Sequence, residues 1–309
     1  MYAIIMSRSK SELNESFSKN ECFKKYISAL VNVTFYTILI ILIVLLEKNV
    51  IPGHRQGFFC NDNSIKFPYK KEETVSVKWF LGLNFGISTI LYVFGEICLS
   101  RQSPGDESRN EDGSKENKSK FQCLTRIFKL IFSLSWCMAA TMMITSVIKS
   151  TVGSLRPHFM EVCNPDVDCS KYSNDVYLLN YTCQANKNYE SKEIIKEARR
   201  SFPSGHSSVS AAVMGFNILY IQSRYNDLNF RELFYRNLGF NICTVYLRLF
   251  LQTICIGVAC FIAMSRVMDY YHHMIDVTSG FLFGSIIGFW VSQQCMMWLG
   301  ISDVISYTW

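Results

Sequence analysis

Long apolar stretches alternate with polar ones along the chain, and most of the apolar stretches carry no charge. The first runs from Tyr26 to Leu46 and is rich in Ile, Leu and Val; the second, from Trp79 to about Ser100, is broken only by Glu96. The third covers Leu130 to Ile148, the fourth Gly205 to Ser223, the fifth Leu249 to Ser265 and the sixth Val277 to Ser302. About 20 apolar residues cross the hydrocarbon core of a bilayer as a helix. The pattern therefore predicts an all-α polytopic membrane protein, six transmembrane helices in one bundle with a large loop between helices 3 and 4. Runs two, four and five are short or flecked with polar residues, so one of them could be buried or re-entrant.

The predicted organisation is a cytosolic tail over 1–25, a six-helix domain over 26–302 whose chemistry lies at about 130–300, and a short cytosolic tail over 303–309. The segment 102–120 has almost no apolar residue and reads as a flexible cytosolic connector. In the large loop, residues 190–200 read as a short amphipathic helix at the membrane interface.

Composition narrows the picture. Of 309 residues, 18% are charged, below the ~25% of ordinary soluble domains. Mean hydropathy is only +0.13, so the apolar residues are concentrated rather than spread. A soluble globular enzyme and a disordered chain are excluded, and 12 Cys in this length are too few for a disulfide miniprotein. The net charge of +6 reflects loop lysines and arginines and implies no nucleic-acid partner.

Charge near the short loops sets the orientation. Arg224, Arg231, Arg236 and Arg248 lie between runs four and five, against Arg266 alone between five and six, and five more cations precede run one. The N-terminus is predicted inside and the large loop outside, where the Asn180 sequon becomes a glycosylation candidate. The same assignment puts Cys60, Cys163, Cys169 and Cys183 outside as disulfide candidates. Four cysteines allow three pairings; a pair within the large loop is expected.

Three polar clusters sit at span ends: Lys149 through Arg156-Pro157, then Phe202-Pro-Ser204-Gly205-His206, then Ser265-Arg266 through His272 and Asp276. An odd span ends on the face where the next even one begins, so all three share one face. Taken singly, a Lys, Arg or His at a span end is usually an interfacial anchor. Jointly, Lys149, Arg156 and Arg266 are three cations with no compensating charge, and they call for an anion such as phosphate. Ser204 can cap the helix that follows, and Gly205 lets a ligand approach its backbone and positive end.

His272 and Asp276 are four apart and would share one helical face. The carboxylate would then hold one ring nitrogen protonated and leave the other nucleophilic, with His206 protonating a leaving oxygen. No acidic cluster is present to hold a hard cation, so metal-independent phosphoryl transfer through a phosphohistidine is expected, with no cofactor. Tyr270 and Tyr271 read as interfacial aromatics or a lipid entrance, and His158 as a local hydrogen-bonding residue.

With these spacings the chain resembles the type 2 phosphatidic acid phosphatase superfamily, whose signature is K-x6-R-P, P-S-G-H and S-R-x5-H-x3-D. The stretches LRPHFMEVCNPD (155–166) and CNDNSIKFPY (60–69), with the six-span layout, resemble its lipid phosphate phosphatase branch. The resemblance implies His272 as nucleophile, Asp276 as its orienter and His206 as general acid. It also implies Lys149, Arg156, Ser204, Gly205 and Arg266 as the phosphate-binding set. Implied substrates are phosphatidate, lysophosphatidate, sphingosine 1-phosphate and ceramide 1-phosphate. The implied location is the plasma membrane or an endomembrane, with the site facing the exterior or lumen, and a homo-oligomer is possible. The alternatives are a superfamily enzyme acting on a soluble phosphate or pyrophosphate, and a non-enzymatic lipid-phosphate binding or transport protein.

Overall fold

A computed structural model describes residues 2–48, 53–102, 113–173, 175–184, 192–227 and 241–300. Helix α1 covers Tyr2–Glu47. Helix α2 (Val77–Leu81) passes through a π turn at Gly82–Gly86 into α3 (Ile87–Gln102). Helix α4 covers Gly113–Val152, and two short helices follow, α5 (Phe159–Cys163) and α6 (Lys192–Glu197). The chain ends in α7 (Gly205–Asp227), α8 (Asn241–Met268) and α9 (Met274–Trp298). A two-stranded antiparallel ribbon joins β1 (Phe58–Phe59) to β2 (Tyr177–Leu178).

Among the described residues, five helical stretches are long and apolar enough to cross a membrane: Tyr26–Glu47, Val77–Ser100, Ser119–Val152, Tyr246–Met268 and Met274–Trp298. They correspond to the first, second, third, fifth and sixth apolar runs, and their outer faces expose Ile, Leu and Phe side chains suited to lipid. The fourth run, α7, is not among them. It is the innermost helix instead, packed against α4, α8 and α9 with Ser204, Ser207, Ser208, Ser210 and Asn217 fully buried.

All of these but the Ser204 hydroxyl find partners across the helix boundaries, as buried polar groups in lipid must. Asn217 donates to Ser88 Oγ at 2.9 Å and accepts from Tyr92 at 2.7 Å. Ser208 and Thr145 hydroxyls meet at 3.0 Å. At the other end of α7, Arg224 pairs with the buried Glu96 at 2.8 Å, which accounts for the one charge in the second run.

The contact between α7 and α9 depends on three glycines a turn apart, Gly280, Gly284 and Gly288. A Cβ at Gly280 would lie 2.6 Å from the Ser204 carbonyl oxygen. At Gly284 and Gly288 it would collide with the backbones of Ser208 and Ala212. Small residues at four-residue spacing allow this backbone approach, which holds the start of α7 against the start of α9.

The loops after α1 and α4 form a cap with its own apolar core around Phe58, Ile65, Phe159, Val162 and Leu178. Two disulfides hold it: Cys163–Cys183 within the large loop, and Cys60–Cys169 between the first loop and the large loop. Asn180 is exposed beside the ribbon.

One expectation changes. Residues 113–120, assigned to the flexible connector 102–120, continue α4 as helix; Lys and Glu are good helix formers and extend a helix already nucleated by its apolar part. Residues 103–112 lie outside the described residues, as does the whole 303–309 tail. The backbone of the 1–25 tail is helical from Tyr2 and continuous with the first span.

Candidate active site

The three clusters converge. Lys149 stands in the last turn of α4, Arg156 in the loop beyond it, His206 in the first turn of α7, Arg266 in the last turn of α8, and His272 in the turn before α9. Together they line one cavity of about 320 Å³. Arg156, Arg266 and His272 are at most 6% exposed. The ring of Tyr271 underlies both guanidinium groups, 5.6 Å from Arg156 and 4.7 Å from Arg266. Tyr271 is therefore not an interfacial aromatic but a buried floor, its hydroxyl donating to the Lys70 carbonyl at 3.0 Å. Tyr270 takes a left-handed φ of 58° that turns the chain from α8 toward His272, and its ring stacks on Phe67.

His272 and Asp276 do not share a helical face, because α9 begins only at Met274. Instead Asp276 closes the start of α9 as the third residue of a capping box around His273, accepting from the His273 N–H at 2.8 Å. This leaves His272 Nδ1 3.9 Å from Asp276 Oδ2, beyond a hydrogen bond. Ser201 fills the gap. Its fully buried hydroxyl donates to Asp276 Oδ2 at 2.6 Å and lies 3.4 Å from His272 Nδ1. No spacing in the sequence pointed to Ser201; the only signal was its position just before the Pro-Ser-Gly-His cluster.

Ser204 does not cap α7 with its side chain. Its N–H donates to the Asp276 carbonyl at 3.0 Å, joining the two helix starts. Its buried hydroxyl has no hydrogen-bond partner among the described residues, and neither do His206 Nε2 and Arg266 Nη2. Gly205 leaves room for Lys149 Nζ, which would lie 3.6 Å from a Cβ there. The Phe80 ring, 4.5 Å from His206, closes that side.

The cations are not uncompensated. Arg156 meets Glu197 of α6 at 2.7 Å, and Arg266 meets Glu73 of the first loop at 3.0 Å. Both carboxylates come from segments without a recognisable motif, and only the folded cap delivers them. Asp269 accepts from Lys70 and Thr74 at 2.6–2.7 Å, fastening the first loop over the site, and lies 3.9 Å from Arg266 Nη2. His158 Nδ1–H donates to the Tyr270 carbonyl at 2.9 Å and buttresses the same turn.

Burial disfavours the charged form of His272, and Arg156, Lys149 and Arg266 add to this, so its imidazole is held neutral well below the ordinary His range. Burial opposes the ionisation of Glu197, but Arg156, Lys149 and Arg200 outweigh it and hold its carboxyl below the usual range. Glu197 therefore occupies the guanidinium fork as a competing anion. Changing Glu197→Gln removes that competitor and is expected to lower KM for a phosphate substrate about two- to fivefold, the worth of a half-exposed ion pair. An unchanged KM would mean that Glu197 is no competitor. Among the described residues, no three His, Cys, Asp or Glu side chains are grouped to hold a metal ion.

Comparison with known proteins identifies the family. Residues 130–298 match the model of the PAP2 superfamily. Phospholipid phosphatase 1 of Mus musculus is 34% identical over 241 residues, covering 77% of this chain and 74% of that protein. A putative phosphatidate phosphatase of Drosophila melanogaster is 30% identical over 243 residues, 75% of this chain and 59% of that protein. Phospholipid phosphatase 2 of Homo sapiens is 29% identical over 241 residues, 76% of this chain and 71% of that protein. No solved structure gives a significant match. The family match and these relatives show that the chain belongs to the PAP2 superfamily, on its lipid phosphate phosphatase branch, and is an integral membrane phosphatase.

Proposed function

We propose that the protein hydrolyses the phosphate monoester of phosphatidate, lysophosphatidate, sphingosine 1-phosphate or ceramide 1-phosphate through a phosphohistidine on His272, without a metal. The observation that carries this reading is the set of orphaned polar atoms, Ser204 Oγ, His206 Nε2 and Arg266 Nη2, around one neutral, buried imidazole at the ends of membrane helices. A phosphate lodged there is held by Lys149, Arg156 and Arg266, with Ser204 and the backbone at Gly205 completing the cradle. His272 Nε2 attacks phosphorus and the ester oxygen departs with a proton from His206. Water, deprotonated by the now neutral His206, then attacks the phosphohistidine, releasing orthophosphate and restoring both rings.

The tautomer matters. Nε2 is a nucleophile only while the proton sits on Nδ1, and Ser201 is placed to accept that proton's hydrogen bond and pass the charge to Asp276. Ser201 is thus a positioning residue. Ser201→Ala is expected to reduce kcat about 10- to 100-fold, the scale of losing one orienting hydrogen bond in a catalytic network, while KM changes less than about threefold. A KM effect without a kcat effect would reduce Ser201 to a structural role.

In this reading the site faces the exterior or lumen, in the plasma membrane or an endomembrane; the arginine bias of the short loops and the exposed Asn180 sequon support that side. The central test is a base quench of the full chain turning over ³²P-labelled phosphatidate in mixed micelles with EDTA. Phosphohistidines survive base and not acid, so label is expected on the wild-type protein and absent from His272→Ala. Turnover without trapped label, or turnover abolished by EDTA, would overturn the mechanism. A marked preference for a water-soluble phosphate monoester would shift the substrate class.

A further inference from the structure

A second cavity, of about 360 Å³, lies beside the catalytic one in the same cap. The two differ in charge. Lys149, Arg156 and Arg266 in the catalytic cavity are matched by Glu73, Glu193 and Glu197. The neighbouring cavity is lined by Arg55, Lys149, Lys196, Arg199 and Arg200, with no carboxylate among its described lining residues. The carboxylate of Glu47 engages Arg200 at 2.9 and 3.2 Å, and its backbone carbonyl accepts from Lys196. Glu197 lies 3.6 Å from Arg200 but is already paired with Arg156. The excess positive charge of the cap therefore sits next to the site where hydrolysis occurs, not inside it.

Two of these cations, Arg199 and Arg200, are also positioned. The Arg200 side chain is only 5% exposed and its Nε has no hydrogen-bond partner among the described residues. The Arg199 guanidinium stacks over Tyr181 at 4.9 Å and faces Phe159 at 5.8 Å, which fixes its plane, and its Nε is likewise without a partner. Arg55 is exposed at the rim, and no carboxylate pairs with it or with Arg199 among the described residues. They come from four separate segments, the first loop, the end of α4, α6 and the turn after α6. Arg199 is held in plane by Tyr181 and by a 3.0 Å bond from Nη2 to Cys183 Sγ, and is paired with no carboxylate among the described residues. With the exposed Arg55 and the half-neutralised Arg200 beside it, it suits a tetrahedral oxyanion, and the volume admits a phosphate with part of a headgroup.

We propose that this cavity is a second phosphate-binding site, separate from the catalytic one and coupled to it through Lys149, which lines both. Its ligand is a phosphate group from one of two sources: the orthophosphate released next door, or the headgroup of a second anionic phospholipid. Binding in either cavity draws on the same ammonium, so occupancy of one weakens the other by an equal factor. The inference does not require His272 to be the nucleophile or any particular lipid to be the substrate.

The test uses the full chain in phosphatidylcholine nanodiscs. Arg156→Gln removes a fork from the catalytic cavity only, and binding of ³²P-orthophosphate is then measured by equilibrium dialysis. One salt-sensitive equivalent per chain is expected to remain, and to weaken about tenfold or more when Arg55→Gln and Arg199→Gln are added, the scale of lost charge-assisted hydrogen bonds. In the otherwise unaltered protein, Arg55→Gln with Arg199→Gln should leave kcat unchanged at low phosphate. Reduced product inhibition by orthophosphate identifies the free anion as the ligand. A lost response to phosphatidylglycerol in the nanodisc, with orthophosphate inhibition intact, identifies a lipid headgroup. If Arg199→Gln disturbs the cap, Arg55→Glu at its exposed position carries the same comparison alone. No change in orthophosphate binding, product inhibition or phosphatidylglycerol response would overturn the proposal.

Discussion

Replacing His272 with alanine is expected to lower phosphate release from phosphatidate micelles by about a thousandfold or more, with substrate binding largely kept. The magnitude follows from the proposed role: removing a covalent nucleophile would leave only the stabilisation that the remaining cations provide. Lys149, Arg156 and Arg266 reach the cavity from α4, the loop after it and α8, so the truncation does not dismantle the anion site. Equal release from wild type and variant would remove His272 from the mechanism. The same residue sets a pH signature. Because burial and three neighbouring cations hold its imidazole neutral, the attacking form persists well below the unperturbed His value of ~6.5. The kcat profile should therefore show no acidic limb between about pH 6 and 7 from this group. A full loss of kcat through a single ionisation near 6.5 would show that the imidazole is not held neutral.

The second large effect lies away from the chemistry. Gly284→Leu is expected to destabilise the folded protein by about 3 kcal/mol or more, as overpacking against backbone does, and to remove activity with it. The group in the way is the Ser208 main chain, which cannot rotate aside as a side chain could. Separating α9 from α7 here also pulls Ser204 from Asp276, whose 3.0 Å hydrogen bond joins the two helix starts. Gly215 on α7 is the control, since a Cβ there meets nothing within 4 Å. Gly215→Ala should be neutral or slightly stabilising. A wild-type melting temperature and turnover in Gly284→Leu would mean that the two helices do not meet as closely as described.

Much of the site was legible because its parts are short, spaced and chemically unusual in so apolar a chain. Lys149, Arg156, His206, Arg266 and His272 could be collected on one face by counting spans, and the folded chain brings them to one cavity. What the spacing obscured is how His272 and Asp276 meet. A separation of four looks like one helical face, but a helix that starts at Met274 makes it a capping geometry, with Ser201 between the two. Glu73 and Glu197 were invisible for another reason. They reach Arg266 and Arg156 from segments 193 and 41 residues distant in sequence, through a cap whose shape local pattern does not encode. The polarity of the fourth run was legible, its meaning less so: serines and an asparagine that weaken a span on a hydropathy scale are the groups that bind it to α3 and α4.

That polarity bears on how the protein is made. A helix presenting Ser207, Ser208, Ser210 and Asn217 has little tendency to leave the translocation machinery for lipid by itself. The partners of Ser208, Ser210 and Asn217, on α4, the π turn and α3, are synthesised before it, whereas α9, which supplies the glycine face and the Val277 carbonyl that accepts from Ser207, follows it. Partition of α7 into the bilayer is therefore a cooperative act of several segments. The start of α7 is held by α9 through the Ser204 N–H to Asp276 carbonyl bond and the Gly280 contact, so a nascent chain stalled before α9 has Lys149, Arg156 and Arg266 but lacks both Asp276 and the surface that holds His206 beside them.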